Sequence, residues 1–258
     1  MGEPCVLLLH GQPGSAADWS GVRTAIAGRA RTIAIDRPGW NRHGGALDHG
    51  RAFDLAGNAR AALSALDAAG VSRATIVGHS LGGAVAAWLA AEHPERVGAL
   101  VLAAPSANRS SLNRLDRLLA APVTGPLLAS GGLAAAGLAL QTARLRDRIA
   151  TSVGLEDRYL REAAATLLRP STWRAFTREQ RMLIRDLPEL ERRLPSISAR
   201  TTVVTGTADR IVSPASARRL VDELPDATLV RLPGATHLLP QQRPRELAEI
   251  IVGALAPG

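Results

Sequence analysis

The stretch Ala74-Thr75-Ile76-Val77-Gly78-His79-Ser80-Leu81-Gly82-Gly83 constrains the fold more than any other part of the chain. Its first four residues are apolar or β-branched without alternation, the pattern of a short strand buried on both faces. Strands of that kind belong to parallel sheets, whose two faces are covered by helices. From Ala84 to Glu92 the chain is rich in alanine and leucine, which favour helix. Between strand and helix, Gly78 and Gly82 flank Ser80 in the pattern G-x-S-x-G. A serine on so tight a turn needs small neighbours, because its own backbone is strained and the helix passes close by. The turn lifts the hydroxyl above the sheet edge and leaves the N–H of Leu81 facing whatever that hydroxyl attacks.

The same alternation runs along the chain on either side. Cys5–Leu9 reads as a buried strand emptying into His10-Gly11-Gln12-Pro13-Gly14, a loop able to present backbone N–H groups to a ligand. A helix follows over 15–27, then a strand at Thr32–Ile35 ending in Asp36-Arg37-Pro38-Gly39-Trp40, then a helix over 51–69 stopped by Gly70. Val97–Ala103 is another apolar strand. The rhythm breaks between Ser106 and Pro195, where only helical or loop patterns occur. It resumes with a strand at Thr201–Thr205, a helix over 214–224, a strand at Thr228–Leu232 and a closing helix over 243–255. This pattern predicts an α/β fold: a mostly parallel central sheet flanked by helices, with one helical insertion. The expected division is a core of residues 1–105 and 196–258 with a helical cap over 106–195.

Within the insertion, no charged residue occurs from Leu118 to Ala143, a run long enough to span a bilayer. Pro122, Pro126, Gly125, Gly131, Gly132 and Gly137 interrupt it, and alanine drives insertion weakly. Two or three short helices over a substrate site are therefore expected, with a membrane-touching surface as the lesser reading. The 31 basic residues, all arginine, outnumber 23 carboxylates to give a net charge of +8. They are dispersed, and aromatic residues for base stacking amount to 3%, so nucleic acid is not the expected partner. Cys5 is the only cysteine, which excludes an intrachain disulfide and suits a reducing, cytoplasmic compartment. The apolar run at Cys5–Leu9 is too short for a secretion signal. Cysteine and histidine spacing offers no zinc site and no loop is built for phosphate, so neither a metal nor an organic cofactor is expected. The oligomeric state is left open.

Two signals downstream of Ser80 point to chemistry. The strand ending at Thr205 runs into Gly206-Thr207-Ala208-Asp209-Arg210, and the strand ending at Leu232 runs into Pro233-Gly234-Ala235-Thr236-His237. In an open parallel sheet such loops emerge on one edge, where ligands bind. Ser80, Asp209 and His237 thus follow three strands in the order serine, carboxylate, histidine. With these motifs and His10–Gly14, the chain resembles the α/β-hydrolase superfamily, in particular its cap-bearing members that use serine.

The resemblance implies a catalytic triad of Ser80, Asp209 and His237, and an oxyanion hole made by the backbone N–H groups of Gln12 and Leu81. It implies hydrolysis of a carboxylic ester or similar acyl compound through an acyl-enzyme. Other members cleave C–C bonds or act as cofactor-free perhydrolases on the same triad, and a non-catalytic receptor would not need all three residues. Serine at position 80 sets the chain apart from epoxide hydrolases and dehalogenases, which use aspartate there; Tyr159 is the only tyrosine, so a pair of epoxide-opening tyrosines is missing. The apolar insertion suggests a small, apolar acyl substrate. Relatives usually carry two strands before the one matching Cys5–Leu9, leaving either a sheet shorter at that edge or a start further upstream. They also tend to have a glycine- and serine-rich turn where this chain has Trp40-Asn41-Arg42-His43. His43, His49 and His93 read as solvent or structural residues, His79 as packed locally in the elbow, and His10 as fixing its loop.

Overall fold

The computed structural model describes residues 3–40 and 54–255. Six strands form one sheet: β1 (Cys5–Leu9), β2 (Arg31–Ile35), β3 (Ala74–His79), β4 (Val97–Ala103), β5 (Thr201–Gly206) and β6 (Ala227–Leu232). Their order is β2-β1-β3-β4-β5-β6 and every pairing is parallel. β1 and β3 are buried along their whole length, as unbroken apolar runs require, whereas the edge strands β2 and β6 are only partly covered. Arg31 and Arg231 sit on those edges and are exposed. Four strand boundaries extend past the predicted ones: β3 runs through Gly78 and His79, β5 through Gly206, and β2 and β6 begin one residue earlier, at Arg31 and Ala227.

The helices are α1 (Ser20–Ile26), α2 (Leu55–Ala68), α3 (Leu81–Glu92), α4 (Arg114–Ala120), α5 (Thr124–Gln141), α6 (Ala143–Val153), α7 (Asp157–Leu167), α8 (Pro170–Arg193), α9 (Pro214–Glu223), α10 (Leu239–Gln242) and α11 (Pro244–Gly253). Around the sheet, Trp19, Val22 and Ile26 pack with Val6 and Leu8 of β1 and with Leu247 and Ile251 of α11 in one apolar cluster. α3 is almost wholly buried, which its alanine-rich sequence permits, its one charged residue being Glu92 at the end. The expected helix over 51–69 is seen from Leu55, capped by Asp54, whose carboxylate accepts from Gly57 N. Its predicted start at Arg51, the loop beyond Trp40, and His43 and His49 lie outside the described residues.

The chain divides into two compact units, one of residues 1–112 and 185–258 and the other of Asn113–Ile184. The second, helical unit is shorter at both ends than the predicted 106–195. The difference has a side-chain cause. Asn108 donates to Ser216 O and Glu223, Arg109 pairs with Glu191, and Asp186 accepts from Leu55 N, so both flanking stretches are tied to the sheet unit. Within the helical unit, α5 packs on α7, Gly137 lying against Ala164 and Leu168. α5 also continues through Gly131 and Gly132, where the sequence suggested a break. Pro122 does end a helix, and α4 and α5 meet at a bend of 110°. No single helix among the described residues is long and apolar enough to cross a membrane.

Candidate active site

The site builds outward from Ser80, which stands between β3 and α3 with φ 54° and ψ −120°. Among the described residues only Ser80 and Ala104 are non-glycine residues at positive φ. That strained conformation costs on the order of 1–3 kcal/mol and persists because its surroundings hold it. Ser80 N donates to Ala103 O, and Ser80 O accepts from Gly83 N and Ser106 N. The flanking glycines are steric necessities. A Cβ on Gly78 would lie 2.2 Å from Gly82 O, and one on Gly82 would lie 2.3 Å from Leu9 O.

The loop after β1 passes directly against the serine. A Cβ on Gly11 would stand 3.0 Å from Ser80 Cβ and 2.9 Å from His79 Nδ1, so a side chain there would push the loop away. Gln12 follows immediately. Leu81 is the first residue of α3, so its N–H is one of the donors a helix start leaves without an intrahelical acceptor.

Asp209 and His237 come together as a pair. His237 Nδ1–H donates to Asp209 Oδ2 at 2.8 Å, and both residues are buried. Since a carboxylate only accepts, this bond fixes the proton on Nδ1 and leaves Nε2 as the basic nitrogen. The other carboxylate oxygen, Oδ1, accepts from Ile211 N at 2.8 Å and Val212 N at 3.0 Å, so the aspartate is itself held by backbone. Their two loops are bound to each other by Ala208 N to Ala235 O and by Gly234 N to Thr207 Oγ1. Thr236 N donates to Gln242 Oε1, anchoring the residue before His237 to α10.

Two residues that the sequence did not assign to the site tie it together. His79 Nε2–H donates to His237 O at 2.8 Å, a link across 158 positions that couples the residue before Ser80 to the histidine loop. Burial, with the nearby His237 ring adding to it, lowers the His79 pKa to about 3, so this ring is neutral. Arg37, buried just past β2, donates through Nε to His10 O at 2.8 Å and through Nη2 to Gly11 O at 2.9 Å. Its backbone N–H also donates to His10 Nε2, while His10 Nδ1–H donates to Gly11 O. Burial, followed by the charge of Arg37, holds the His10 pKa well below the ordinary histidine value. Loop 10–12 is therefore clamped from the β2 side. In the sequence this was hinted at by the reading of His10 as fixing its loop and by an arginine two residues after an apolar strand. His93 lies beside Glu95 at the far end of α3, away from these contacts. The described residues contain no cluster of three or more histidine, cysteine or carboxylate groups that could hold a metal.

A strained serine at the turn after β3, with a buried histidine–carboxylate pair in the loops after β5 and β6 of the same parallel sheet, is the pattern of one class of α/β enzyme. The family described as the alpha/beta hydrolase fold matches residues 4–244, and the chain belongs to it. The protein is an α/β-hydrolase enzyme.

Among particular relatives, the 2-hydroxy-6-oxo-6-phenylhexa-2,4-dienoate hydrolase of Burkholderia cepacia is 29% identical over 237 residues, covering 90% of this chain and 80% of that protein. A provisionally named carbamate hydrolase of Variovorax paradoxus (strain S110) is 34% identical over 241 residues, covering 90% and 84%. In structure, the 2-hydroxy-6-oxo-6-phenylhexa-2,4-dienoate hydrolase of Rhodococcus sp. strain RHA1 superposes with a TM-score of 0.75 at 19% identity, over 98% of this chain and 90% of that one. This last likeness is one of fold.

Proposed function

We propose that the protein is a serine hydrolase that cleaves a carboxylic ester or similar acyl compound through an acyl-enzyme, with Ser80 as nucleophile, His237 as base and Asp209 as its orienting carboxylate. The observation that carries this reading is the 2.8 Å bond from His237 Nδ1 to Asp209, which leaves Nε2 free to act. A serine hydroxyl is a weak nucleophile near neutral pH, and Nε2 takes its proton as the oxygen attacks the acyl carbon. The C–O bond to the leaving group then breaks, and the same proton passes to the departing alcohol. Water repeats the sequence on the acyl-enzyme and releases the acid. Asp209 stabilises the imidazolium formed in each half. The tetrahedral oxyanion is held by the N–H groups of Leu81 and Gln12, each donor lowering the barrier by about 3 kcal/mol. Arg37 and Gly11 support that role by keeping loop 10–12 against Ser80.

A second reading has its own support. The Burkholderia relative is named as a hydrolase of 2-hydroxy-6-oxo-6-phenylhexa-2,4-dienoate and aligns over 90% of this chain, which supports C–C bond hydrolysis of a related ketone by the same triad in place of ester cleavage. Treatment with a fluorophosphonate followed by mass spectrometry is expected to place a single adduct on Ser80, and Ser80→Ala to abolish it. An adduct elsewhere, or full turnover in the alanine variant, refutes the assignment. Comparing p-nitrophenyl esters with a 2-hydroxy-6-oxodienoate on one preparation decides between the two substrate classes.

A further inference from the structure

The helical unit carries an exposed apolar surface of its own. Among the described residues seven large apolar side chains are strongly exposed, and six of them, Leu115, Leu118, Val123, Leu127, Leu128 and Leu138, belong to α4, α5 and the turn between them. Val123 is 75% exposed and Leu127 70%, so neither is packed against its own unit. One side of α5, with Gly125, Ala129 and Gly137, is buried. The opposite side carries Leu127, Gly131, Ala135 and Leu138, all exposed and on one stripe. A helix facing water normally carries charged residues there, yet none occurs from Leu118 to Ala143. Contiguous exposed apolar surface of this kind marks a place where something else docks.

Charge decides what docks. The unit over 113–184 holds eleven arginines against six carboxylates. Exposed arginines stand at both ends of the uncharged run, Arg114 and Arg117 on α4 and Arg144 and Arg148 on α6. At the bend itself, Arg181 donates to Ala120 O and Pro122 O. An apolar centre rimmed by cations matches a layer whose interior is hydrocarbon and whose surface is anionic. A second copy of the chain would bring the same arginine rim against itself. The geometry favours lying on a bilayer over crossing it. α4 and α5 together have the length and apolarity of a crossing segment, but the 110° bend between them keeps the pair from running straight across a bilayer. We propose that α4 and α5 form a membrane-docking surface that lies in the headgroup layer of an anionic bilayer, leucines inward and arginines on lipid phosphates. In the sequence this was the lesser reading; the exposure of the leucines reverses the order.

The test uses the full chain and sedimented vesicles of phosphatidylcholine, alone or with about one-third phosphatidylglycerol. The wild type is expected to co-sediment with the anionic vesicles, more weakly with neutral ones, and to be released as salt rises. Leu127→Glu combined with Leu138→Glu should lower the partition at least about tenfold while leaving circular dichroism and melting unchanged, since both side chains are exposed. Arg114→Gln with Arg117→Gln should weaken binding to anionic vesicles only. The lipid and salt dependence of the wild type stands as evidence even if a variant folds poorly. Failure of the wild type to bind anionic vesicles overturns the proposal, as does unchanged binding by a folded double-glutamate variant. Concentration-dependent dimerisation in light scattering, abolished by the double variant and without vesicle binding, would assign the face to a second copy instead.

Discussion

The neutral, buried His79 makes a quantitative prediction about acid stability. Its Nε2–H donates to His237 O, and its pKa of about 3 stands against an ordinary value of 6.5. Because the folded value is depressed, the unfolded chain binds a proton here that the folded chain refuses. The stability this histidine contributes is complete above pH 6.5 and is lost as pH falls from there towards 3. At about pH 5 the loss from this group alone amounts to about 2 kcal/mol, taking 1.36 kcal/mol per pKa unit over the one and a half units traversed. His10 moves in the same direction and adds to the wild-type slope. His79→Gln keeps an amide donor and cannot be protonated. Urea unfolding of both proteins at about pH 7.5 and about pH 5 gives four free energies, whose double difference cancels every other titrating group. The variant should be less stable than wild type at the higher pH yet lose about 2 kcal/mol less on acidification. Equal losses in the two proteins would show that His79 is not held neutral by the fold, and the argument from its burial would fail.

Other expectations follow from the same geometry. Asp209→Asn should fold normally but lose about four orders of magnitude in kcat, since an amide can hold the wrong imidazole tautomer; near-wild-type turnover would show that another group orients His237. Arg37→Gln should lower kcat more than it raises KM, by releasing the carbonyls of His10 and Gly11, and a change confined to KM would contradict a role in positioning loop 10–12. Two glycines should respond oppositely to alanine in thermal unfolding. Gly82→Ala meets Leu9 O and should cost more than about 2 kcal/mol, whereas Gly131→Ala, with nothing within 4 Å, should gain about 0.5–1 kcal/mol of helix stability.

What could be read from the sequence was what depends on neighbours in the chain. The strand before Ser80 and the helix after it declare themselves through composition, and Gly78 and Gly82 declare the tightness of the turn. Asp209 and His237 were legible because each closely follows an apolar run, and the parallel sheet brings such positions to one edge. What could not be read depends on partners far away in the chain. His79 looks like filler within the elbow until its ring is seen bonded to the backbone of His237. Arg37 looks like one dispersed arginine among 31 until its guanidinium is seen on the carbonyls of loop 10–12. The compact helical unit falls inside the expected insertion of 106–195 for a related reason, because Asn108 and Asp186 take partners on α9 and at the start of α2 that spacing does not reveal. Gly131 and Gly132 suggested a break in α5, but an exposed glycine lowers helix propensity by only about 1 kcal/mol, which the packed side of the helix outweighs.

The pairing of β4 with β5 has a consequence for how the molecule comes into being. Ala103 and Val204 lie side by side, yet the whole helical unit is synthesised between them. Closing so long a detour is entropically mild, since each doubling of a loop costs only about 0.6 kcal/mol, but it is slow, because distant contacts must be found before they are rewarded. During synthesis, β1 to β4 and the serine elbow emerge well before the strands that carry Asp209 and His237. On the proposed mechanism, a nascent or truncated chain therefore holds Ser80 without the histidine that would take its proton. If the proposed triad acts, hydrolysis begins only when the last third of the sheet has annealed, and the first turnover in a translation reaction times the completion of the fold.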